Sequence, residues 1–190
     1  YYSRDFDEYE EQRIGGQFGL GRRFGRVWSG QLTGRVQSID IGGISDNAIF
    51  DLQEVEGQST LTGLGVSFTR NTLDSRYRPS KGTRLELSAE RVGAAGGDYQ
   101  FTKLGVAGNA FLTLYEDFTG RKTILNLRSS ANWIPEGEDE APIFERYFLG
   151  GRNLRGFDYR GVSPRGFKPG ANPGDPPRKS GSCVIALEGE

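Results

Sequence analysis

The residues around one arginine, Arg155, could form a loop that holds its guanidinium group against an anion. It belongs to residues 146–160, which read RYFLGGRNLRGFDYR. The stretch combines an aromatic strand end, a glycine pair and an Arg-Gly-Phe tip: Tyr147, Phe148, Gly150, Gly151, Leu154, Arg155, Gly156 and Phe157. Glycine permits the left-handed backbone of tight turns, and arginine offers a planar fork of donors to carboxylates or carbonyls. On these residues alone, an ordinary exposed loop arginine beside a turn glycine is the alternative.

A second stretch, residues 72–82, has the composition of a tight connection between two strands. It reads TLDSRYRPSKG and contains the pattern D-x-R-x-x-P-x-x-G, formed by Asp74, Arg76, Pro79 and Gly82. Proline cannot donate a hydrogen bond to a sheet, and glycine relieves a sharp bend. We therefore expect these four residues to shape a turn at the rim of a sheet, with contact to a partner subunit as the alternative role.

The composition gives little support for catalysis or for bound cofactors. The chain of 190 residues has no histidine and a single cysteine, Cys183, so we expect neither a metal site nor a cofactor. No nucleophile motif or plausible carboxylate pair indicates an enzyme. With 24 basic and 25 acidic residues the net charge is −1, so no nucleic-acid partner is expected. Since the sequence contains no methionine, we expect a fragment or a processed piece of a longer chain.

Alternation of apolar and polar residues is the main structural signal, and it predicts an all-β chain. The clearest case is residues 83–92, where Leu85, Leu87 and Ala89 alternate with charged or polar residues. Six strands are predicted, at residues 12–22, 28–41, 60–72, 83–92, 100–115 and 123–134. A short seventh is predicted at residues 143–148 and a partial one at 182–190. Residues 1–11 suit either an exposed loop or a strand end, and residues 48–52 could form a short helix.

The strands have one apolar and one polar face, which suits two architectures. A soluble sandwich would bury the apolar face, whereas a transmembrane barrel turns it towards lipid and has short turns at one rim and long loops at the other. The predicted connections follow the second pattern, because residues 24–26, 72–82 and 116–122 are short while residues 42–59 and 135–181 are long. Residues 93–98 break the pattern, since they are short but fall on the long-loop rim. The mean hydropathy of −0.56 and the lack of a long apolar run exclude a membrane helix.

Both motifs resemble those of the BamA family, the outer-membrane β-barrel assembly factors. The Gly-Gly and Arg-Gly-Phe block is similar to the family's [V/L]RG[F/Y] loop, with Leu154 where valine is commoner, and residues 74–82 are similar to its D-x-R-x-x-P-x-x-G turn. The resemblance covers nearly the whole chain. It implies an antiparallel transmembrane β-barrel, here a partial arc of about 7–8 strands from a 16-stranded barrel. Residues 1–190 would be its middle strands and the Arg-Gly-Phe loop, without periplasmic repeats or C-terminal strands.

The resemblance also implies a function and a set of partners. The protein would fold and insert other β-barrels into the bacterial outer membrane, in contact with the lipid bilayer, unfolded β-barrel client proteins, accessory assembly lipoproteins and periplasmic chaperones. Arg155 would dock on the inner wall of the barrel, with Gly156 permitting the turn and Phe157 packing against the wall. Its acidic partner is expected beyond residue 190, with Glu86 or Glu90 as the alternative. A two-partner secretion transporter and a passive porin are the other candidate functions.

Overall fold

The chain forms one antiparallel sheet of eight strands that follow one another in sequence order. A computed structural model describes residues 2–5, 10–44, 55–135, 141–148, 156 and 183–189, with only the backbone described in the first and last strands. The strands are β1 (Tyr2–Asp5), β2 (Glu10–Phe24), β3 (Trp28–Gly42), β4 (Gly57–Asn71), β5 (Gly82–Val92), β6 (Phe101–Glu116), β7 (Lys122–Trp133) and β8 (Cys183–Gly189).

The six predicted strands are confirmed as β2 to β7, and the partial strand at the end is confirmed as β8. Residues 1–11 include a strand of their own, β1, and the beginning of β2. The predicted strand at residues 143–148 is wrong, because Ile143–Glu145 form a 3₁₀ turn. Phe144 and Glu145 are adjacent and both buried, whereas successive side chains of a strand would point to opposite faces. The possible helix at residues 48–52 lies outside the described residues.

One face of the sheet, which we call the outer face, is apolar and exposed. Its large side chains include Ile14, Phe18 and Leu20 on β2, which are 61%, 62% and 69% exposed. Phe18 pairs across the strands with Gly34, and its ring covers the glycine so closely that an added Cβ would lie 2.4 Å from it. An apolar surface of this extent is stable in contact with lipid acyl chains and is not typical of a soluble protein.

The opposite face, which we call the inner face, is polar along most of its length and carries a small core at one end. Ile39 and Ile41 lie on it, although the outer face holds the apolar residues earlier in β3. This change of face interrupts the alternation of apolar and polar residues near residue 39. The core collects side chains from four strands, β3 to β6, and from the connections that follow β3 and β7: Ile39, Ile41, Val55, Leu61, Val92, Phe101, Ile134, Ala141 and Phe144.

The connections alternate in length as the sequence predicts, and the short connection at residues 93–100 is again the exception. Residues 25–27, 72–81 and 117–121 make short turns at one end of the sheet, which we call the short-turn rim. Residues 43–56, 93–100 and 134–182 connect strands at the other end, beside the core, and we call this end the long-loop rim. No helix among the described residues has the length and hydrophobicity to cross a membrane.

Candidate docking site on the inner face

The connection from β7 to β8 folds back onto the inner face through residues 141–148, which we call the docked segment. Pro142 precedes the 3₁₀ turn Ile143–Glu145, and the amide of Glu145 donates to the carbonyl of Pro142 at 2.9 Å. The guanidinium Nε of Arg146 donates to the carbonyl of Ala141 at 2.7 Å. These local hydrogen bonds make the segment compact, so that Phe144 and Glu145 both lie against the inner face.

The carboxylate of Glu145 is the centre of the site. Its side chain is only 3% exposed, and three cations on three different strands surround it. Arg35 on β3 donates from Nη2 to Oε2 at 2.9 Å and from Nη1 to Oε1 at 3.3 Å. Arg13 on β2 donates to Oε1 at 3.3 Å, and the ammonium of Lys103 on β6 donates to Oε2. The segment is therefore tied to β2, β3 and β6 through one buried anion.

Two further carboxylates complete the charge balance. Glu11 accepts a hydrogen bond from Nε of Arg13, and Glu90 accepts one from Nε of Arg35. With Glu145 they make three negative charges against the three positive charges of Arg13, Arg35 and Lys103. A buried cluster of this kind is stable only when its charges are paired and hydrogen-bonded. Removing one member would leave an uncompensated charge.

A glycine makes room for the pair of Arg35 and Glu90. The two residues lie on β3 and β5, and their side chains meet above β4 at Gly63. A Cβ added to Gly63 would lie 2.5 Å from Oε1 of Glu90 and 2.9 Å from Cγ of Arg35. Any larger residue at position 63 would therefore push the two charged side chains apart.

An apolar contact accompanies the ionic one. Phe144 is 5% exposed and packs edge-on against Tyr99, with 6.1 Å between the ring centroids. The guanidinium of Arg13 lies 5.9 Å from the centre of the Phe144 ring and donates to the Phe144 carbonyl at 3.1 Å. The ammonium of Lys103 lies 5.4 Å from the centre of the Tyr147 ring. Residues 144–147 thus combine burial, cation–π contact and charge pairing on one part of the inner face.

Glu145 remains an anion at physiological pH. Burial by itself would raise the pKa of its carboxyl group, but the hydrogen bonds and charges of Arg35 and Lys103 outweigh burial and lower this pKa to about 2. The docked segment therefore presents a charged carboxylate to the three cations of the inner face at physiological pH.

The predicted Arg-Gly-Phe loop starts immediately after the docked segment. Gly150, Gly151, Leu154, Arg155 and Phe157 lie outside the described residues. Gly156 is described as a turn residue with φ of 87°, in the left-handed region that favours glycine. No contact of Arg155 is described, so its docking stays a prediction.

Glu86 and Glu90, the alternative acidic partners predicted for Arg155, each accept a hydrogen bond from another arginine. Glu90 accepts from Arg35, and Glu86 accepts from Arg84 at 3.1 Å. The role of Glu145 was not predicted from the sequence, because residues 143–148 were expected to form a strand. The signal that could have found it is the position of Arg35 and Lys103 on the polar faces of strands, where buried cations need an anion.

The predicted rim turn connects β4 to β5, and a single carboxylate organises it. Oδ1 of Asp74 accepts from the amides of Ser80 at 2.9 Å and Lys81 at 3.2 Å, while Oδ2 accepts from the Ser80 hydroxyl at 2.5 Å. Gly82 has φ of 108°, and a Cβ there would lie 2.3 Å from the carbonyl oxygen of Thr72. Asp74 and Gly82 therefore fix the shape of the turn, and Arg76 is exposed at its tip.

The hydrogen bonds of Asp74 predict the acid sensitivity of this turn. The Ser80 hydroxyl and then the Ser80 and Lys81 amides lower the pKa of the Asp74 carboxyl below its ordinary 3.8. A lowered folded-state pKa means that the carboxylate stabilises the turn above the ordinary pKa and stops doing so as the pH falls through the folded value. We expect carbon-13 NMR of the Asp74 carboxyl, in the complete protein in micelles, to show titration below pH 3.8. The control is Ser80→Ala, which should move the titration upwards; equal titration in both proteins would contradict this account of the turn.

The fold and the site together define a class of protein: an arc of a transmembrane β-barrel whose polar inner face holds a connecting segment. The Omp85 superfamily domain model matches residues 1–175. The chain therefore belongs to the Omp85 superfamily, and this membership places it in the bacterial outer membrane.

Two individual proteins illustrate the similarity. The chain is 31% identical over 169 residues to the outer membrane protein assembly factor BamA of Nitratidesulfovibrio vulgaris (strain Hildenborough). The match covers 87% of this chain and 21% of the relative, so the chain spans about a fifth of that relative's length. The crystal structure of BamA from Haemophilus ducreyi lacking POTRA domains 1–3 is 16% identical and matches with a TM-score of 0.70 over 83% of this chain and 32% of that one. The structural match confirms the partial barrel predicted from the sequence.

Proposed function

We propose that the complete protein assembles β-barrel proteins and inserts them into the outer membrane. The observation that carries this proposal is the 31% identity, over most of this chain, to a protein named an outer membrane protein assembly factor. Assembly requires no covalent chemistry, because a strand edge can template an incoming strand by backbone pairing. The substrates would be unfolded β-barrel client proteins, and the accessory partners would be assembly lipoproteins and periplasmic chaperones.

The eight strands would be part of a larger closed barrel. Among the described residues, β1 pairs only with β2 and β8 only with β7, so the sheet has two edges. Unpaired backbone is not tolerated in the hydrocarbon of a bilayer. We therefore propose that residues 1–190 are the middle strands of the barrel, with further strands and periplasmic repeats elsewhere in the complete protein.

The docked segment would hold the Arg-Gly-Phe loop inside the barrel. Phe148 ends the described part of this segment, and the glycine pair Gly150 and Gly151 follows two residues later. A cavity of about 250 Å³ on the inner face, lined partly by Glu90, Lys103 and Tyr147, offers space beside the segment. We propose that Leu154, Arg155, Gly156 and Phe157 lie against this wall, with Arg155 as the docking cation.

The experiment that tests the function is depletion of the complete protein. We expect many unrelated outer-membrane barrels to lose their folded form, measured by heat-modifiable mobility in gels. Loss of a single secreted protein with normal barrels would instead indicate a secretion transporter. In the depleted cells, Arg155→Ala is expected to restore barrel folding poorly, whereas the control Arg152→Ala, three residues earlier, should restore it. Equal rescue by both variants would remove the proposed role of Arg155 and leave the assembly function standing.

A further inference from the structure

The short-turn rim carries an unusual group of arginines. Seven of them are exposed, and within the described part of the chain their side chains make no hydrogen bond or ion pair: Arg22, Arg23, Arg26, Arg70, Arg76, Arg78 and Arg121. We propose that this rim binds the headgroups of anionic phospholipids. The inference goes beyond the proposed function, because it requires only that the arc spans a membrane.

The cations of the inner-face site differ from the rim arginines in their surroundings. Arg13, Arg35 and Lys103 are largely buried and all three are paired with carboxylates. At the short-turn rim, by contrast, the nearby acidic groups are already engaged. Asp74 accepts three hydrogen bonds within its own turn, and Glu116 lies 3.6 Å from Lys122. The rim therefore has a positive charge that the described part of the chain does not neutralise.

Two of the arginines lie on the outer face itself, among aromatic residues. Arg70 on β4 is the register partner of Trp28, which also pairs with Phe24. Gly30 lies between Arg22 on one side and Phe68 on the other. The side chains of Trp28, Phe68 and Phe24 are 43%, 46% and 52% exposed. Aromatic rings of this kind concentrate at the level of lipid headgroups.

This placement favours a lipid over an acidic protein as the occupant. Above Arg22 the outer face continues with Leu20 and Phe18, which are 69% and 62% exposed and would lie against acyl chains. An arginine beside them can lay its aliphatic stem on the apolar surface and extend its guanidinium to a phosphate, which it binds in a bidentate manner. A soluble acidic protein would reach the turn residues Arg76 and Arg78, but it would not reach the lipid-facing side of β2 and β4.

The test compares lipid retention by two charge-matched double variants of the complete protein. The protein in detergent is mixed with equimolar palmitoyl-oleoyl phosphatidylethanolamine and phosphatidylglycerol, and the bound lipids are counted by native mass spectrometry. The rim variant is Arg22→Gln with Arg70→Gln. The control is Arg84→Gln with Lys122→Gln, which removes the same charge from cations that have carboxylate partners. Heat-modifiable gel mobility confirms that each variant is folded.

We expect the wild type and the control to prefer phosphatidylglycerol and the rim variant to lose most of that preference. Each cation near an anionic lipid surface contributes about fivefold, so the pair should account for roughly 25-fold. An unchanged preference in the rim variant, or an equal loss in the control, would overturn the proposal. Loss of a co-purifying acidic protein with lipid preference intact would also overturn it and assign the rim to a protein partner. If the rim variant does not fold, the wild type decides: its preference should fall between about 50 mM and 500 mM salt, and a salt-independent preference would refute the proposal.

Discussion

Glu145→Ala is expected to destabilise the folded protein by about 3–5 kcal/mol, the usual result of removing one partner from a buried ion pair. The reason is that Arg35 and Lys103 would keep their buried positions without the anion that both contact; their side chains are each only 14% exposed. Glu145→Gln keeps an acceptor oxygen and loses the charge, so its effect should be smaller but in the same direction. The measurement is urea unfolding of the complete protein in micelles.

The matched control for this substitution is Glu86→Ala. Glu86 also accepts from an arginine, but the side chains of the Arg84–Glu86 pair are 49% and 41% exposed. Exposed pairs contribute about 1 kcal/mol or less, because solvent screens them. If Glu145→Ala destabilised the protein no more than Glu86→Ala does, Glu145 would not be a buried anchor.

Phe144→Ala is expected to destabilise the protein by a similar amount, about 3–5 kcal/mol, through loss of buried apolar contact. Phe144 is 5% exposed, belongs to the core at the long-loop rim and contacts Tyr99 and Arg13. Removing its ring leaves a cavity between the docked segment and the wall. The effect should appear in the same unfolding experiment as a lower midpoint.

The control for Phe144 is a phenylalanine that makes no such contact. Phe118 lies in the turn between β6 and β7 and is 98% exposed, so Phe118→Ala should change stability by less than about 0.5 kcal/mol. Equal effects of the two substitutions would show that the docked segment is not packed against the wall. Because Phe144 and Glu145 are neighbours with shared contacts to Arg13, their combined effect should not be additive.

The strands could be predicted from the sequence because each has one face in contact with an apolar medium. Leu85, Leu87 and Ala89 show this, since their period of two is the period of the strand itself. The alternation of apolar and polar residues failed where the apolar surroundings of a strand lie on the inner face. Ile39 and Ile41 turn inward to the core at the long-loop rim, so the apolar residues of β3 change face there.

The docking site could not be predicted in the same way, because its parts are far apart in sequence. Glu145 is 110 residues from Arg35 and 132 from Arg13. Nothing local in the stretch Ile143–Glu145 distinguishes a buried anion from a solvated one, and its apolar residues suggested a strand. The rim turn is the opposite case: Asp74 and Gly82 act within their own turn, so the signal for it lies in local residue types.

A double-mutant cycle on Glu145 and Arg35 tests most directly whether a buried charge contact holds the connection between β7 and β8 on the inner face. The free energy of unfolding of the complete protein is measured for wild type, Glu145→Gln, Arg35→Gln and the double variant. The structure predicts a coupling energy of about 1–3 kcal/mol, because each single variant already breaks the contact. Additive effects within about 0.5 kcal/mol would contradict it and would mean that the two side chains do not interact in the folded protein.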